Sequence, residues 1–515
     1  MLRVKEKRLW KIVAFIFLAV ILIKGCTYNV DYPENGLCNQ AEEMFILDEG
    51  VLVPDDKYSD NALTNDNEKG LAPRLWEYEF IWPEGRNQEW EEDIIYFAQM
   101  FLFDHPLLRN VQIPTSDVES ILSGARFSDH TDNFHDAKLR DQFLHKIHKL
   151  ISFIPELEDH EIIFSLSEIA TLLGDAHTGL VLNRFAFQRL GHHYYPFDFI
   201  YFSEGFFVRS VSAPSDSLEY YEEALYSRLL AINGVDVEQM MEMLSVVIPH
   251  ENNYQLLVRG DLADLMQHGE LLTYLGITTG GETEFLFENL EGDVFRVNAT
   301  ARAVCRDVYI ETTFIDINVE EFLKYSRPKW QWFEFLEDYN TMYLRLHNLF
   351  GTPATPSLED FYLSLAQETS KLLETRKIDK FVIDLRDNRG GFLEYFEILF
   401  ELVYSERSDF GSVYVLINHY TYSSGVVAAA ILKNYIKDVL LVGEPTSQPP
   451  NFFAGTSTYW LPNSNLSFEV SRVYFRILPD YLKDTLHPDI LIPMTFEDFI
   501  NHRDPVLEAI IADVN

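Results

Sequence analysis

Three separated segments carry residue types that together can perform acyl transfer. The first is TYSSGVVAAAIL, which places Ser423 between a strand-like run, SVYVLIN, and a helix-like run. A serine at such a junction has its Oγ beside a helix N-terminus. There the free first-turn N–H groups and the positive end of the dipole stabilise an oxyanion, and the N–H of Ser424 is the natural first donor. An ordinary N-cap role for Ser423 or Ser424 fits the local sequence at least as well. The second segment is DLRDNRGG. Gly390 and Gly391 follow a strand-like run, and a glycine pair lets backbone N–H groups approach a ligand closely, as a second oxyanion donor must. A plain strand-to-helix turn reads the same way. Asp384 and Arg386 share a face of that strand and read as an ion pair or loop anchor. The third segment is LLGDAHTGL, where His177 follows a helical stretch. Its imidazole can deprotonate a serine at neutral pH. Taken singly, His177 is one of 15 histidines, and a surface or capping role accounts for it more readily.

The elements that must position these residues are legible from periodicity. EDIIYFAQMFL, DQFLHKIHKLISFI and ELEDHEIIFSLSEIATLL carry apolar residues at helical spacing and predict a helical N-terminal domain over 76–185. FDFIYF, GFFVRSV, RLLAING, TEFLFENL and VFRVNATARAV are short β-like runs between Gly and Asn turns, with one helix near 236–248. They predict a β-rich domain over 190–312. Within it, RLLAINGVDVEQMMEML reads as strand, Asn-Gly turn and helix, similar to a late segment of a PDZ domain. From about Phe333 strands and helices alternate: FVIDLR, FLEYFEILFELVY, SVYVLIN, GVVAAAILKNYI, VLLVG. This β-α-β order predicts a layered α/β domain over 325–515.

GDAHTGL, VIDLRDNRGG and TYSSGVVAA followed by VLLVGEPTS occur in that order, and together they resemble the serine peptidase family of C-terminal processing (tail-specific) proteases and the tricorn core protease. The resemblance spans about residues 76–511 and ends on FEDFINHRDPVLEAI. It implies an α/β, crotonase/Clp-protease-like layered catalytic domain beside the helical and PDZ-like β-rich domains. It also implies a peptide or protein substrate, Ser423 as nucleophile, and oxyanion donors on a glycine of Gly390-Gly391 and the amide of Ser424. One branch of the family pairs its serine with a lysine just beyond the GEPT-like segment. That position falls at or near Gln448, where no lysine is available. The other, tricorn-like branch uses a histidine of a DxHT segment, here His177, and this sequence fits that branch. Two departures stand out. The acidic residue that commonly follows the nucleophile is Val426. The third, acidic member of the tricorn-like set has Leu482 in its place, leaving Asp480 and Asp484 as substitutes. The mechanism so implied needs no metal or organic cofactor. A binding protein that kept the fold and lost turnover is the alternative.

Composition sets the outer limits. The chain has 515 residues, 47 % of them hydrophobic, enough for two to four domains with sizeable cores. A formal net charge of −40 repels phosphate backbones and anionic headgroups, which argues against nucleic acid as a partner. The three cysteines, Cys26, Cys38 and Cys305, form no zinc-type cluster. At the N-terminus, Arg3, Lys5, Lys7, Arg8 and Lys11 precede the apolar run 12–23. That run is short for a membrane span and has the length of a signal-peptide core. It ends at Ile23-Lys24-Gly25-Cys26, similar to a lipoprotein cleavage site except for Lys24. The expectation is therefore an exported protein, tied to the membrane through its N-terminus alone: residues 1–26 a signal peptide or lipoprotein signal, and 27–75 an acidic linker.

Overall fold

The computed structural model describes residues 85–123, 128, 131–182, 192–258, 265–303, 311–314, 331–349 and 357–512. The signal segment, the acidic linker and the three cysteines lie outside them. Among the described residues no helix is long and apolar enough to cross a membrane.

The first helices are α1 (Arg86–Asp104), α2 (Ala137–Phe153) and α3 (Asp159–Thr171), with strand β1 (Ile113–Asp117) after α1 and β2 (Gly179–Leu180) after α3. α1 buries Trp90, Ile94, Phe97, Ala98 and Phe101, a stripe at helical spacing. α2 starts where the Asp136 side chain accepts the Leu139 N–H.

The β-rich segment holds β3 (Phe197–Phe202), β4 (Gly205–Ala213), β5 (Arg228–Ile232), helix α4 (Val237–Leu244), β6 (Glu282–Glu288), β7 (Val294–Thr300) and β8 (Glu311–Phe314). These strands form an antiparallel sheet in the order β7-β6-β5-β4-β8, with β3 also paired to β4. After β5 the chain reverses at Asn233 (φ 48°) and Gly234 (φ 77°), the paired positive φ values for which Asn-Gly is suited. The inward Phe197, Phe285 and Phe287 of this sheet join Phe97, Phe101, Phe143 and Phe164 of the helices in one apolar cluster. The helical and β-rich segments, distinct in periodicity, thus share a core.

The α/β segment runs β9 (Gln331–Leu336), β10 (Thr341–Leu346), α5 (Leu358–Leu373), β11 (Ile378–Asp384), α6 (Phe396–Ser405), β12 (Phe410–Ile417), α7 (Ser424–Tyr435) and β13 (Val439–Gly443). It continues through β14 (Asn451–Ala454), β15 (Ser457–Trp460), β16 (Ser467–Val470), β17 (Val473–Arg476), β18 (Ile490–Leu491) and helix α8 (Pro505–Ile511). The central sheet has the order β9-β10-β11-β12-β13-β18, parallel except for the β9–β10 hairpin. Met342, Leu344, Phe381, Ile383, Val413 and Val415 face α5, α6 and α7 on one side. Tyr343, Val382, Tyr414 and Leu416 face Val506, Leu507 and Ile510 of α8 on the other. Burial on both faces explains why these strands read as unbroken apolar runs. α6 begins at Phe396 rather than at Phe392, because Tyr395 takes a left-handed conformation (φ 65°) just before it.

The hairpin strands after β13 turn back onto the N-terminal segment. β17 pairs in parallel with β1 and β16 pairs antiparallel with β2. They carry the turn after α3 to the end of the central sheet.

Glu444, directly after β13, is a largely buried carboxyl. It accepts the Met494 N–H at 3.4 Å and lies 3.6 Å from His419 Nε2. His419 donates Nδ1–H to Pro445 O at 2.8 Å and stacks on Tyr254 at 4.8 Å. Burial pushes Glu444 up to about 7, against the opposing Met494 N–H, and pushes His419 down to about 4. Glu444 therefore binds a proton in the folded chain that the unfolded chain has released, and its contribution to stability falls as pH rises from about 4.5 to 7. Glu444→Gln should gain on the wild type by about 1–3 kcal/mol as pH is raised from 5 to 8. Urea midpoints measure this, and a difference that stays constant across that range would contradict it.

Candidate active site

Ser423 closes the loop that follows β12 and is the residue before α7. Its backbone sits at φ 52°, ψ −125°, and its side chain makes no capping hydrogen bond to the helix. A non-glycine residue held there stores on the order of 1–3 kcal/mol of strain, a feature that clusters at functional turns. The N-cap role that local sequence allowed for Ser423 is absent, and Ser424 Oγ donates instead to Gly391 O at 2.6 Å. Side chains pin the loop on both sides. Thr421 Oγ1 donates to Leu385 O at 2.9 Å, Tyr422 N–H to Asn388 O at 2.9 Å, and Ser423 N–H to Gln448 Oε1 at 3.0 Å.

The Gly390-Gly391 turn lies against this loop. Gly390 (φ 110°) and Gly391 (φ 128°) both occupy backbone conformations that side chains rarely adopt. A Cβ on Gly390 would lie 2.8 Å from Ser423 Cβ, 3.2 Å from its Oγ and 3.3 Å from the Ser424 amide nitrogen. The glycine thus leaves open the space between the Ser423 side chain and the Ser424 amide. Gly390 N–H is committed to Asn388 Oδ1 at 2.9 Å, so of the glycine pair it is Gly391 whose N–H can turn to a ligand alongside that of Ser424. Asn388 Nδ2 anchors the same turn to Leu346 O at 2.7 Å. Beneath it, Asp384 pairs with Arg386 at 2.7 Å and Arg345 at 2.6 Å, and Arg386 reaches Asp504 at 2.8 Å. Burial alone would raise the Asp384 carboxyl; the two guanidinium groups outweigh it and hold it well below the usual range. The ion-pair reading of Asp384 and Arg386 describes this anchor.

His177 comes from the turn after α3. Its backbone N–H donates to Asp175 Oδ1 at 2.9 Å, and Asp175 Oδ2 accepts Thr178 Oγ1 at 2.6 Å and faces His105 Nε2 at 3.1 Å. His105 Nδ1 accepts the Leu107 N–H at 3.2 Å, so the neutral ring carries its proton on Nε2 and donates it to Asp175. Burial would raise Asp175, but the hydrogen bond and charge of His105 lower it below its ordinary value. This turn brings His177 Nε2 to 3.0 Å from Ser423 Oγ. The imidazole stacks with the rings of Tyr422 (4.7 Å) and Phe452 (5.4 Å), near parallel to both. Its Nδ1 meets Tyr422 Oη at 2.9 Å and Gln448 Nε2 at 3.3 Å.

The substitute acids go elsewhere. Asp480 and Asp484 are exposed, and neither hydrogen-bonds or ion-pairs with His177 among the described residues. The Asp484 carbonyl accepts Asn252 Nδ2–H at 2.7 Å. Val426 is buried in the core of α7. Tyr422, Glu251 and Asp175 were not found from sequence. Asp175 sits inside the quoted GDAHT motif and Tyr422 beside Ser423, whereas Glu251 lies in PHENN with no signal attached.

Among the described residues, two sets of side chains bring metal-type donors within 4.8 Å of one another: His192, His268 and Glu270, and Asp175, His177 and Glu251. In the first, His268 Nδ1 accepts the Leu271 N–H at 3.0 Å, which puts its proton on Nε2, facing His192 Nδ1 at 2.9 Å. That pair is complete as a hydrogen bond. In the second, the Asp175 oxygens are already taken by three donors.

No family model and no curated protein matches the sequence. Among solved structures the chain is similar to mature CPAF complexed with lactacystin, at 12 % identity and TM-score 0.48, over 83 % of this chain and 97 % of that one. It is also similar to the photosystem II D1 C-terminal processing protease, at 14 % identity and TM-score 0.34, over 78 % of this chain and 93 % of that one. A third similarity, to the tricorn protease, has 11 % identity and TM-score 0.35, over 83 % of this chain and 36 % of that one.

Gly390→Ala tests the space beside Ser423. The added Cβ meets the Ser423 side chain and strains a left-handed backbone. We expect a folded protein, by circular dichroism, whose Ser423-dependent chemistry falls by about 100-fold or more, the scale of losing an oxyanion donor. A variant as active as the wild type would place the oxyanion elsewhere.

Proposed function

We propose that the protein is a serine peptidase that hydrolyses peptide bonds through an acyl-enzyme on Ser423, with His177 as general base. The observation that carries this reading is the 3.0 Å contact between Ser423 Oγ and His177 Nε2, made by a strained serine at a helix N-terminus. His177 takes the Ser423 proton as Oγ attacks the scissile carbonyl. The oxyanion forms in the space kept open by Gly390, facing the amides of Gly391 and Ser424. The protonated His177 then delivers its proton to the leaving amine, and water hydrolyses the ester by the reverse sequence. The β-rich domain, read as PDZ-like, is suited to hold a peptide by strand addition.

A fluorophosphonate probe should label the wild type at Ser423 and should not label Ser423→Ala. Ser423→Ala and His177→Ala should each lower kcat/KM by several orders of magnitude, because the two groups act as a unit. The rate should rise through roughly pH 6–7 and then level off, as a histidine base requires. Absence of labelling in the folded wild type would leave the inactive peptide-binding alternative.

The same reading makes the protein exported and held at the membrane by its N-terminus. This rests on the basic residues before the apolar run 12–23 and on Gly25-Cys26. Labelling of cells with a fatty acid should mark the protein, and Cys26→Ser should abolish the label. An unlipidated mature N-terminus beyond residue 26 would remove the lipid while leaving export standing.

A further inference from the structure

Resting on the peptidase reading, we propose that Glu251 is the acid of the site: a positioning residue that holds Gln448 and, by its negative charge, stabilises the protonated form of His177. Glu251 comes from the loop that follows α4, nearly two hundred positions from Gln448 (|i−j| = 197). Its Oε1 accepts the Gln448 Nε2–H at 2.8 Å. A carboxylate oxygen of Glu251, one of Asp175 and a ring nitrogen of His177 all lie within 4.8 Å of one another. The loop is tied to the catalytic segment by Asn252, whose Nδ2 donates to Asp484 O at 2.7 Å and Thr446 O at 3.3 Å.

The orientation of Gln448 follows from its neighbours. Its Oε1 receives the Ser423 N–H, so its Nε2 is the end that faces both Glu251 and His177 Nδ1. A flipped amide would set oxygen against carboxylate and N–H against N–H. At Nδ1 an amide N–H can only donate, so when Nδ1 carries the proton that a general base requires, the Tyr422 oxygen is the acceptor at 2.9 Å. Tyr422 thus fixes the tautomer, while Glu251 supplies negative charge for the imidazolium that forms when Ser423 gives up its proton. The other charged group facing this ring is Asp175, whose oxygens are spent on the His177 amide, Thr178 and His105. Phe452 and Tyr422 stack with the ring.

Glu251→Gln tests this in the full chain, since a glutamine oxygen still accepts from Gln448 and only the charge is lost. Two quantities are read: kcat/KM against pH, and the titration of the His177 Cε1–H by NMR, assigned by its absence in His177→Gln. An opposite charge within this distance is worth about one pH unit or more. The His177 titration should therefore move down by roughly one pH unit and kcat/KM above it should fall about tenfold to a hundredfold. Glu251→Asp should recover part of both, and it gives the same readout if the glutamine variant fails to fold. If Ser423→Ala abolishes activity but Glu251→Gln moves neither titration nor rate, the assignment is overturned and the peptidase reading stands. If the wild type is inert to the fluorophosphonate while the titration still moves, the charge coupling stands and the peptidase reading falls.

Discussion

The positive φ of Ser423 is the constraint around which the rest of the structure is arranged. A serine left to itself would relax out of that conformation, so the surroundings must over-determine it. Gln448 holds its amide, Asn388 holds the amide before it, and the glycines at 390 and 425 remove the Cβ atoms that would collide with Ser423 and with Asn388 O at 2.7 Å. Asn388 is in turn fixed to the end of β10, and Thr421 to Leu385 just beyond β11. The twisted parallel sheet, buried on both faces, is rigid enough to carry that load.

The second half of the site arrives from the other end of the chain. The β16–β2 and β17–β1 pairings join the helical segment that carries His177 to the strands that follow β13. Asp175 shapes the turn at His177 by accepting from the His177 amide and the Thr178 hydroxyl, and it also meets His105. A buried carboxylate used in this way is costly to desolvate, and His105 supplies the partner that makes its burial tolerable. The polar network under Gly390, with Asp384 between two arginines, follows the same logic on the other side.

Much of this was legible in the sequence because the relevant signals are local. Apolar runs between turn residues mark β11, β12 and β13, and the Asn-Gly pair marks the turn after β5. The junction of an apolar run with an apolar helix marks Ser423. The acid was illegible because its partners are far away in sequence. Asp480 and Asp484 are near the position that resemblance points to, but both carboxylates are exposed and neither reaches His177. Glu251 and Gln448 meet only once the β-rich segment is packed on the sheet, and nothing in PHENN distinguishes its glutamate from the many solvated ones. The hairpin strands β14–β17 were unreadable for the same reason. Their short, half-buried runs acquire meaning only from β1 and β2.

The sequence separation of 246 residues between Ser423 and His177 bears on biosynthesis. Chain closure over such a distance is slow, and non-local pairing must wait until both partners exist. A ribosome emits the histidine long before the serine, and β17, which completes the bridge, only after residue 476. Throughout that interval the growing polypeptide holds His177 without Ser423 beside it. Assembly order therefore keeps the Ser423–His177 pair from forming until β17 has been made.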